Sequence, residues 1–203
     1  MIAAPNVFGR REVAPMVCEY LRTYPAVSCE LALADRMVNF IDDGVDLAVR
    51  IGALKDSTLR SRVVGATRRV LVASPGYLAQ RKTLRSPSDL AAHNLIQFSA
   101  VAPTAEWTLV RGTQEHRIAI APRLVTNDAD AAIGHALRDG GITMALSYQV
   151  AAQLKAGTLV LVLEKFRAPT LPIALVYPGT RMLSASIRAF IDLVVATAAW
   201  DFD

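Results

Sequence analysis

An α/β fold follows from three features of this chain. Short apolar runs of alternating character recur along it. Between them lie stretches with apolar residues three and four apart, and cap residues, glycines and prolines separate the two kinds. Hairpin signals are scarce, so successive strands must pair in parallel through right-handed crossovers. The first five elements set this order. Residues 1–4 read as the end of a strand. Val13, Met16, Val17, Tyr20 and Leu21 share one helical face, and Tyr24-Pro25 closes that helix. Val27, Cys29, Leu31 and Leu33 alternate as a second strand. Asp35 is placed to cap a second helix, with Met37, Phe40 and Ile41 on one face and Gly44 at the left-handed stop position. Val45, Leu47, Val49 and Ile51 then alternate as a third strand.

The later elements carry their own boundary signals. Residues 59–64 and 69–73 read as two strands. Ser74-Pro75 starts a short helix, and Ser86-Pro87-Ser88-Asp89 repeats that signal. A short strand covers 95–98. Strands at 107–111 and 117–121 flank Gly112-Thr113, a hairpin turn. A strand at 124–126 leads to Asn127-Asp128, which caps a helix running to Arg138 and closed by Gly140-Gly141. Residues 142–146 form a strand, Ser147 caps a further helix, and strands follow at 159–163 and 171–177. Ser184 caps a last helix with Ile187, Phe190, Ile191, Val194 and Val195 on one face.

The 203 residues suffice for one large domain or two lobes of roughly 100 residues each. Hydrophobic residues make up 53%, enough for a sizeable core. Charges interrupt every apolar run short of the ~20 residues of a membrane helix. Met1-Ile2-Ala3-Ala4-Pro5 lacks the basic start and apolar core of a secretory signal. The expectation is a cytoplasmic protein without a membrane partner. Net charge is +4, but Arg10-Arg11, residues 60–62 and Arg68-Arg69 are separate clusters without interleaved aromatics, so DNA contact by this chain is not expected. Cys18 and Cys29 are expected as buried thiols rather than a disulfide.

No nucleophile elbow, phosphate loop, dinucleotide fingerprint or zinc-protease motif occurs. His93, His116 and His135 are scattered and read as surface or capping groups. No catalytic residue, metal ligand or cofactor is assigned. What the pattern offers is a set of strand-to-helix turns. In an open parallel sheet the ligand crevice lies outside the carboxyl ends of the strands, where helix N-termini favour anions. The candidates are Asn6, Val7 and Phe8; Arg50, Ile51 and Gly52; Gln97 and Phe98; Asn127 and Asp128; and Ser147 and Tyr148. Each has a plainer reading. Asn6 caps the first helix, Phe8 packs in the core, and Arg50 pairs with Asp46 or Asp35. Gln97 and Phe98 simply pack, and Asn127 and Asp128 are caps first.

The word Asp46-Leu47-Ala48-Val49-Arg50-Ile51-Gly52, after the stretch from Asp35 to Val45, resembles the ligand-binding domain of LysR-type bacterial transcription regulators. Seven further stretches fit the same family in the same order: Ala3-Ala4-Pro5-Asn6-Val7-Phe8-Gly9-Arg10-Arg11, Val72-Ala73-Ser74-Pro75-Gly76-Tyr77-Leu78, the segment from Leu90 to Phe98, Val125-Thr126-Asn127-Asp128, the segment from Gly140 to Leu146, and the two stretches from Leu171 to Pro178 and Ser184 to Asp192. The family usually has proline where this chain has Ser147.

The resemblance implies two Rossmann-like lobes joined by two crossing strands, similar to type 2 periplasmic binding proteins. Residues 1–71 and 172–203 would form one lobe and residues 72–171 the other. It further implies a small effector held between the lobes and a homodimer, with a tetramer open to a full-length protein. DNA would be bound only through a winged helix-turn-helix that this sequence does not contain, which makes it a fragment of a longer regulator. The alternatives are a solute-binding protein of a transport system, which would need an export signal, and an enzyme on the same scaffold, which would need a compact set of catalytic groups.

Overall fold

The computed structural model describes residues 1–35, 40, 42–53, 59–81, 83–179 and 183–202. In chain order the strands are β1 (Ile2–Ala4), β2 (Leu31–Leu33), β3 (Leu47–Ile51), β4 (Leu59–Ala73), β5 (Leu95–Phe98) and β6 (Glu106–Arg111). After them come β7 (Gln114–Ala119), β8 (Pro122–Thr126), β9 (Ile142–Leu146), β10 (Val160–Leu161), β11 (Thr170–Pro178) and β12 (Trp200–Asp201). The helices are α1 (Asn6–Phe8), α2 (Ala14–Thr23), α3 (Pro75–Ala79), α4 (Ala129–Leu137), α5 (Ser147–Lys155) and α6 (Ala185–Thr197). The chain divides into two compact units, Met1–Thr67 with Leu171–Phe202, and Arg68–Thr170.

In the first unit β1 lies between β2 and β3 and is parallel to both. β11 pairs antiparallel with β3, setting Ile173 against Ile51 and Val176 against Ala48. Leu47, Ala48 and Val49 are all buried. β3 is therefore covered on both faces, and the expected one-sided alternation gives way to the continuous burial of an interior strand. Ala3, Phe40, Val45, Ala48, Ala174 and Val176 form one core cluster here.

Residues 6–23 form one unbroken helix in three stretches. Between α1 and α2 lies a π-helical stretch, Gly9–Val13, in which the Ala14 N–H donates to the Gly9 carbonyl. Pro15, with no N–H to give, follows at once. The buried positions on this helix are Phe8, Val13, Val17 and Tyr20. Phe8 and Val13 are five apart, and the wide turn keeps both on the buried face. Gly9 lets the helix approach closely, since a Cβ there would fall 2.2 Å from Leu33 Cδ2. Phe8 stacks edge-on against Trp200 at 4.9 Å, and Tyr20 against Phe190 of α6 at 5.3 Å. The Tyr20 hydroxyl donates to the Ser186 carbonyl.

Several expected boundaries change. The second strand begins only at Leu31, leaving Val27 and Cys29 outside it. The helix expected from Asp35 lies largely outside the described residues; Asp35 itself accepts from Asn6. Residues 59–64 and 69–73 belong to one strand, β4. Gly65, which lies between the two expected strands, is a point of close backbone approach: β12 pairs in parallel there, and a Cβ on Gly65 would lie 2.1 Å from the Trp200 carbonyl. The strand expected over 159–163 shrinks to β10. Cys18 is exposed and Cys29 half-buried, so neither is a core thiol. Val195 is exposed, while Phe190, Ile191 and Val194 carry the buried face of α6.

In the second unit β9 pairs antiparallel with the later part of β4, Arg69 opposite Leu146, and β10 pairs antiparallel with it at Val72 and Ala73. β5 is parallel to both β8 and β9. β6 and β7 form the separate hairpin, turning at Gly112 with φ +61°. Ser74 caps α3 and donates to Asp139 at 2.6 Å. Ser86 and Asp89 cap the 3₁₀ turn Pro87–Ala92. His93 is buried rather than on the surface, bonded to the Tyr77 hydroxyl at 3.2 Å. Among the described residues no helix is long and apolar enough to cross a membrane.

Candidate functional site

The topology places the sequence candidates at two strand edges. β1 and β3 run parallel, with Ala3 beside Ala48. Their carboxyl ends bring Asn6 and the Arg50-Ile51-Gly52 turn to one edge of the first unit. β5, β8 and β9 also run parallel. Their carboxyl ends collect Gln97-Phe98, Asn127-Asp128 and Ser147-Tyr148 at one edge of the second.

The side chains at these edges have defined tasks. Asn6 is the first residue of α1, with Pro5 at the cap position. Its backbone N–H and its carboxamide donate to the two Asp35 carboxylate oxygens at 3.0 and 2.9 Å. The first helix therefore already holds an anion of the chain's own. Val7 and Phe8 are buried, and Phe8 belongs to the core. The Arg50 guanidinium lies 5.9 Å from the Phe40 ring centre. Asp35 is engaged by Asn6, and Asp46 by the amino group of Met1. Gly52 has φ +109° and donates its N–H to the Pro172 carbonyl.

In the second unit Gln97 is only 6% exposed, and its carboxamide donates to the carbonyls of Ala102 and Thr104 at 2.8 and 3.0 Å. It braces the loop after β5. Phe98 is buried beside it. Asp128, not Asn127, caps α4, accepting from Ala131 at 2.7 Å. Asn127 is exposed. Ser147 is the first residue of α5 rather than its cap: Leu146 holds that position, and Gln149 reaches back to the Leu146 N–H at 2.9 Å. Ser147 Oγ accepts from the Arg68 N–H. Tyr148 is buried, its hydroxyl accepting from Gln149. At α1, α4 and α5 alike, a side chain of the protein takes up part of the orphan N–H set that was expected to face a ligand.

A feature that sequence reading missed lies wholly within the second unit. Arg68, Arg69, Glu164 and Arg167 surround a recess of about 50 Å³ floored by apolar groups that include Leu109 and Met144. The sequence does carry its traces, the Arg68-Arg69 doublet just before the apolar run Val70–Ala73 and the charged loop from Glu164 to Arg167. Nothing in spacing joins segments so far apart. Among the described residues no group of three His, Cys, Asp or Glu side chains is arranged to hold a metal ion.

The LysR substrate binding domain model matches residues 1–199. The chain belongs to the LysR substrate-binding domain family. As such a domain it has the type 2 periplasmic-binding-protein-like α/β fold. It is 30% identical to the HTH-type transcriptional regulator PtxR of Pseudomonas aeruginosa, over 94% of this chain and 61% of that protein. It is similar to the regulatory domain of CrgA, a LysR-type transcriptional regulator from Neisseria meningitidis, with 26% identity, a TM-score of 0.82, and 97% of each chain covered. The Vibrio cholerae virulence activator AphB aligns at 25% identity and a TM-score of 0.85, covering 97% of this chain and 67% of that one. The chain thus spans about three fifths of the length of curated relatives such as PtxR.

Proposed function

We propose that this LysR substrate-binding domain is the effector-sensing part of a transcription regulator. It binds a small anionic metabolite and relays that event to DNA through the geometry of an oligomer. The observation that carries the reading is the convergence of strand-end residues on one carboxyl edge in each unit. The contacts proposed are Asn6 and Arg50 in the first unit, and Gln97, Asn127 and Ser147 in the second. Asn6 and Gln97 would have to exchange the internal bonds they make for bonds to the ligand. Arg50 supports the anionic class best, because a guanidinium at a strand end can grip a carboxylate with two parallel bonds. The free N–H groups left at the helix starts add up to ~1 kcal/mol each. Relatives named as transcriptional regulators support this reading over a transport protein or an enzyme.

The test is a thermal-shift screen of metabolites on this chain. A ligand at 100 times its dissociation constant raises stability by about 2.7 kcal/mol. Arg50→Ala and Asn6→Ala are expected to weaken the hits. Hits that both variants bind as well as the parent would place the pocket elsewhere, and hits confined to cations would overturn the anionic class. The chain by itself is expected to bind duplex DNA weakly and without sequence preference, since it carries no recognition helix identified in its sequence. A gel shift at physiological salt reads this directly, and tight selective binding would contradict it.

A further inference from the structure

We propose that the recess in the second unit is a binding site for a small organic carboxylate, with Arg69 and Arg167 holding its head group. The floor is made of apolar groups that are themselves buried, Leu71, Leu109, Met144 and Leu163. The charged groups in the lining are three guanidiniums against the single carboxylate of Glu164. Neither Arg69 nor Arg167 has an ion-pair partner among the described residues. Arg69 is half-buried, and among the described residues its guanidinium makes one hydrogen bond, from Nε to the Val101 carbonyl at 3.1 Å. That bond fixes the plane of the guanidinium and leaves the terminal nitrogens for an acceptor from outside the chain. Burial pulls the Arg69 guanidinium below its ordinary range, the mark of a cation stripped of water without a counter-charge. A carboxylate seated there supplies that charge through short charge-assisted bonds.

Size narrows the ligand class. One water needs ~10–15 Å³ of such space, so a recess of about 50 Å³ has room for a few water-sized groups. A carboxylate with a short aliphatic chain fits, with its chain against Leu109 and Met144. A nucleotide does not. Every residue of this site belongs to the second unit, and none of them is among the contacts proposed for the effector.

The experiment is a methyl NMR titration of the 203-residue chain with sodium butyrate, n-butanol and n-butylammonium chloride at constant ionic strength. Butyrate is expected to give saturating shifts at the methyl groups of Leu71, Leu109, Met144 and Leu163, and the other two probes are not. Arg69→Gln is expected to weaken butyrate about tenfold and Arg167→Gln about threefold. Arg167 is exposed, so its variant keeps the fold and decides the matter even if Arg69→Gln does not fold. Asn6→Ala and Arg50→Ala should leave this titration unchanged, which separates the two sites. Shifts that never saturate, equal binding of butanol, or parental butyrate affinity in Arg167→Gln would each overturn the proposal.

Discussion

Replacing Gln97 with methionine tests how the loop after β5 is held. The two side chains are close in volume, so neither a cavity nor overpacking follows. What is lost is the pair of hydrogen bonds to the Ala102 and Thr104 carbonyls. Ala102 is buried, and its carbonyl without a donor costs about 1–3 kcal/mol. Thr104 is exposed, so water replaces the second donor and the net loss is about 0.5–1.5 kcal/mol. Together these predict destabilisation by roughly 2–4 kcal/mol. For a domain of this length ~1 kcal/mol moves the midpoint by about 2–4 °C, giving a fall of roughly 4–16 °C. The two tryptophans sit one in each unit, Trp107 in the second and Trp200 in the first. Following Trp107 fluorescence on heating reports the unit that Gln97 belongs to. A midpoint within about a degree of the parent would show that the carboxamide does not brace the loop. Loss of metabolite binding without a shift in the midpoint would leave Gln97 as the ligand contact proposed for it and not as a brace.

Other outcomes follow from single contacts. Gly141→Ala places a Cβ at φ +149° and 2.3 Å from the Asn94 carbonyl oxygen, so a loss of about 2–4 kcal/mol is expected in urea melts. Gly157→Ala, at φ +69° with nothing within 4 Å, should cost about 1–2 kcal/mol by the same measurement, and equal losses would refute the clash argument. The Asp89 carboxyl is held below its usual range by the N–H groups of Arg85 and Ser86 and by the Ser86 hydroxyl. Its stabilisation is therefore complete above about pH 4 and fades as pH falls through the lowered value. Asp89→Asn should flatten the acid limb of the stability curve, and an unchanged limb would contradict this. β2 is a three-residue edge strand with Leu31 and Leu33 only partly covered, so a homodimer using this edge and the first helix is expected in light scattering across a dilution series, and a clean monomer at micromolar concentration would oppose it.

Elements with a chemical full stop were the legible ones. Ser74, Ser184 and Gly112 each mark a boundary through side-chain capping or a positive φ, and these are local properties of a few residues. Gly65 carried the same letter with a different meaning. Its role depends on Trp200, which arrives from the far end of the chain to make β12. The strand-end positions of the candidate site were readable from alternation and caps. What those side chains do was not. Asp35 stands next to a helix start of its own in sequence, yet it bonds to Asn6, 29 positions away. Gln97 looked like the end of a strand and proved to be a brace. Tertiary partners of this kind leave no spacing to read.

The wide turn at the start of the first helix bears on how sequences of this length can vary. From Gly9 to Val13 the helix carries one residue more than a regular α-turn would use, because Ala14 bonds back to Gly9. Losing any one of Arg10, Arg11 or Glu12 would let the same turn close in the ordinary way. Phe8 and the residue now at position 13 would then stand four apart and still face inward together. A single-residue deletion in mid-helix normally rotates everything beyond it by ~100°. Here the rotation has been absorbed in advance. Gaps between close relatives should therefore collect at this one turn, and length variants made there should keep their core while variants made one turn later lose it.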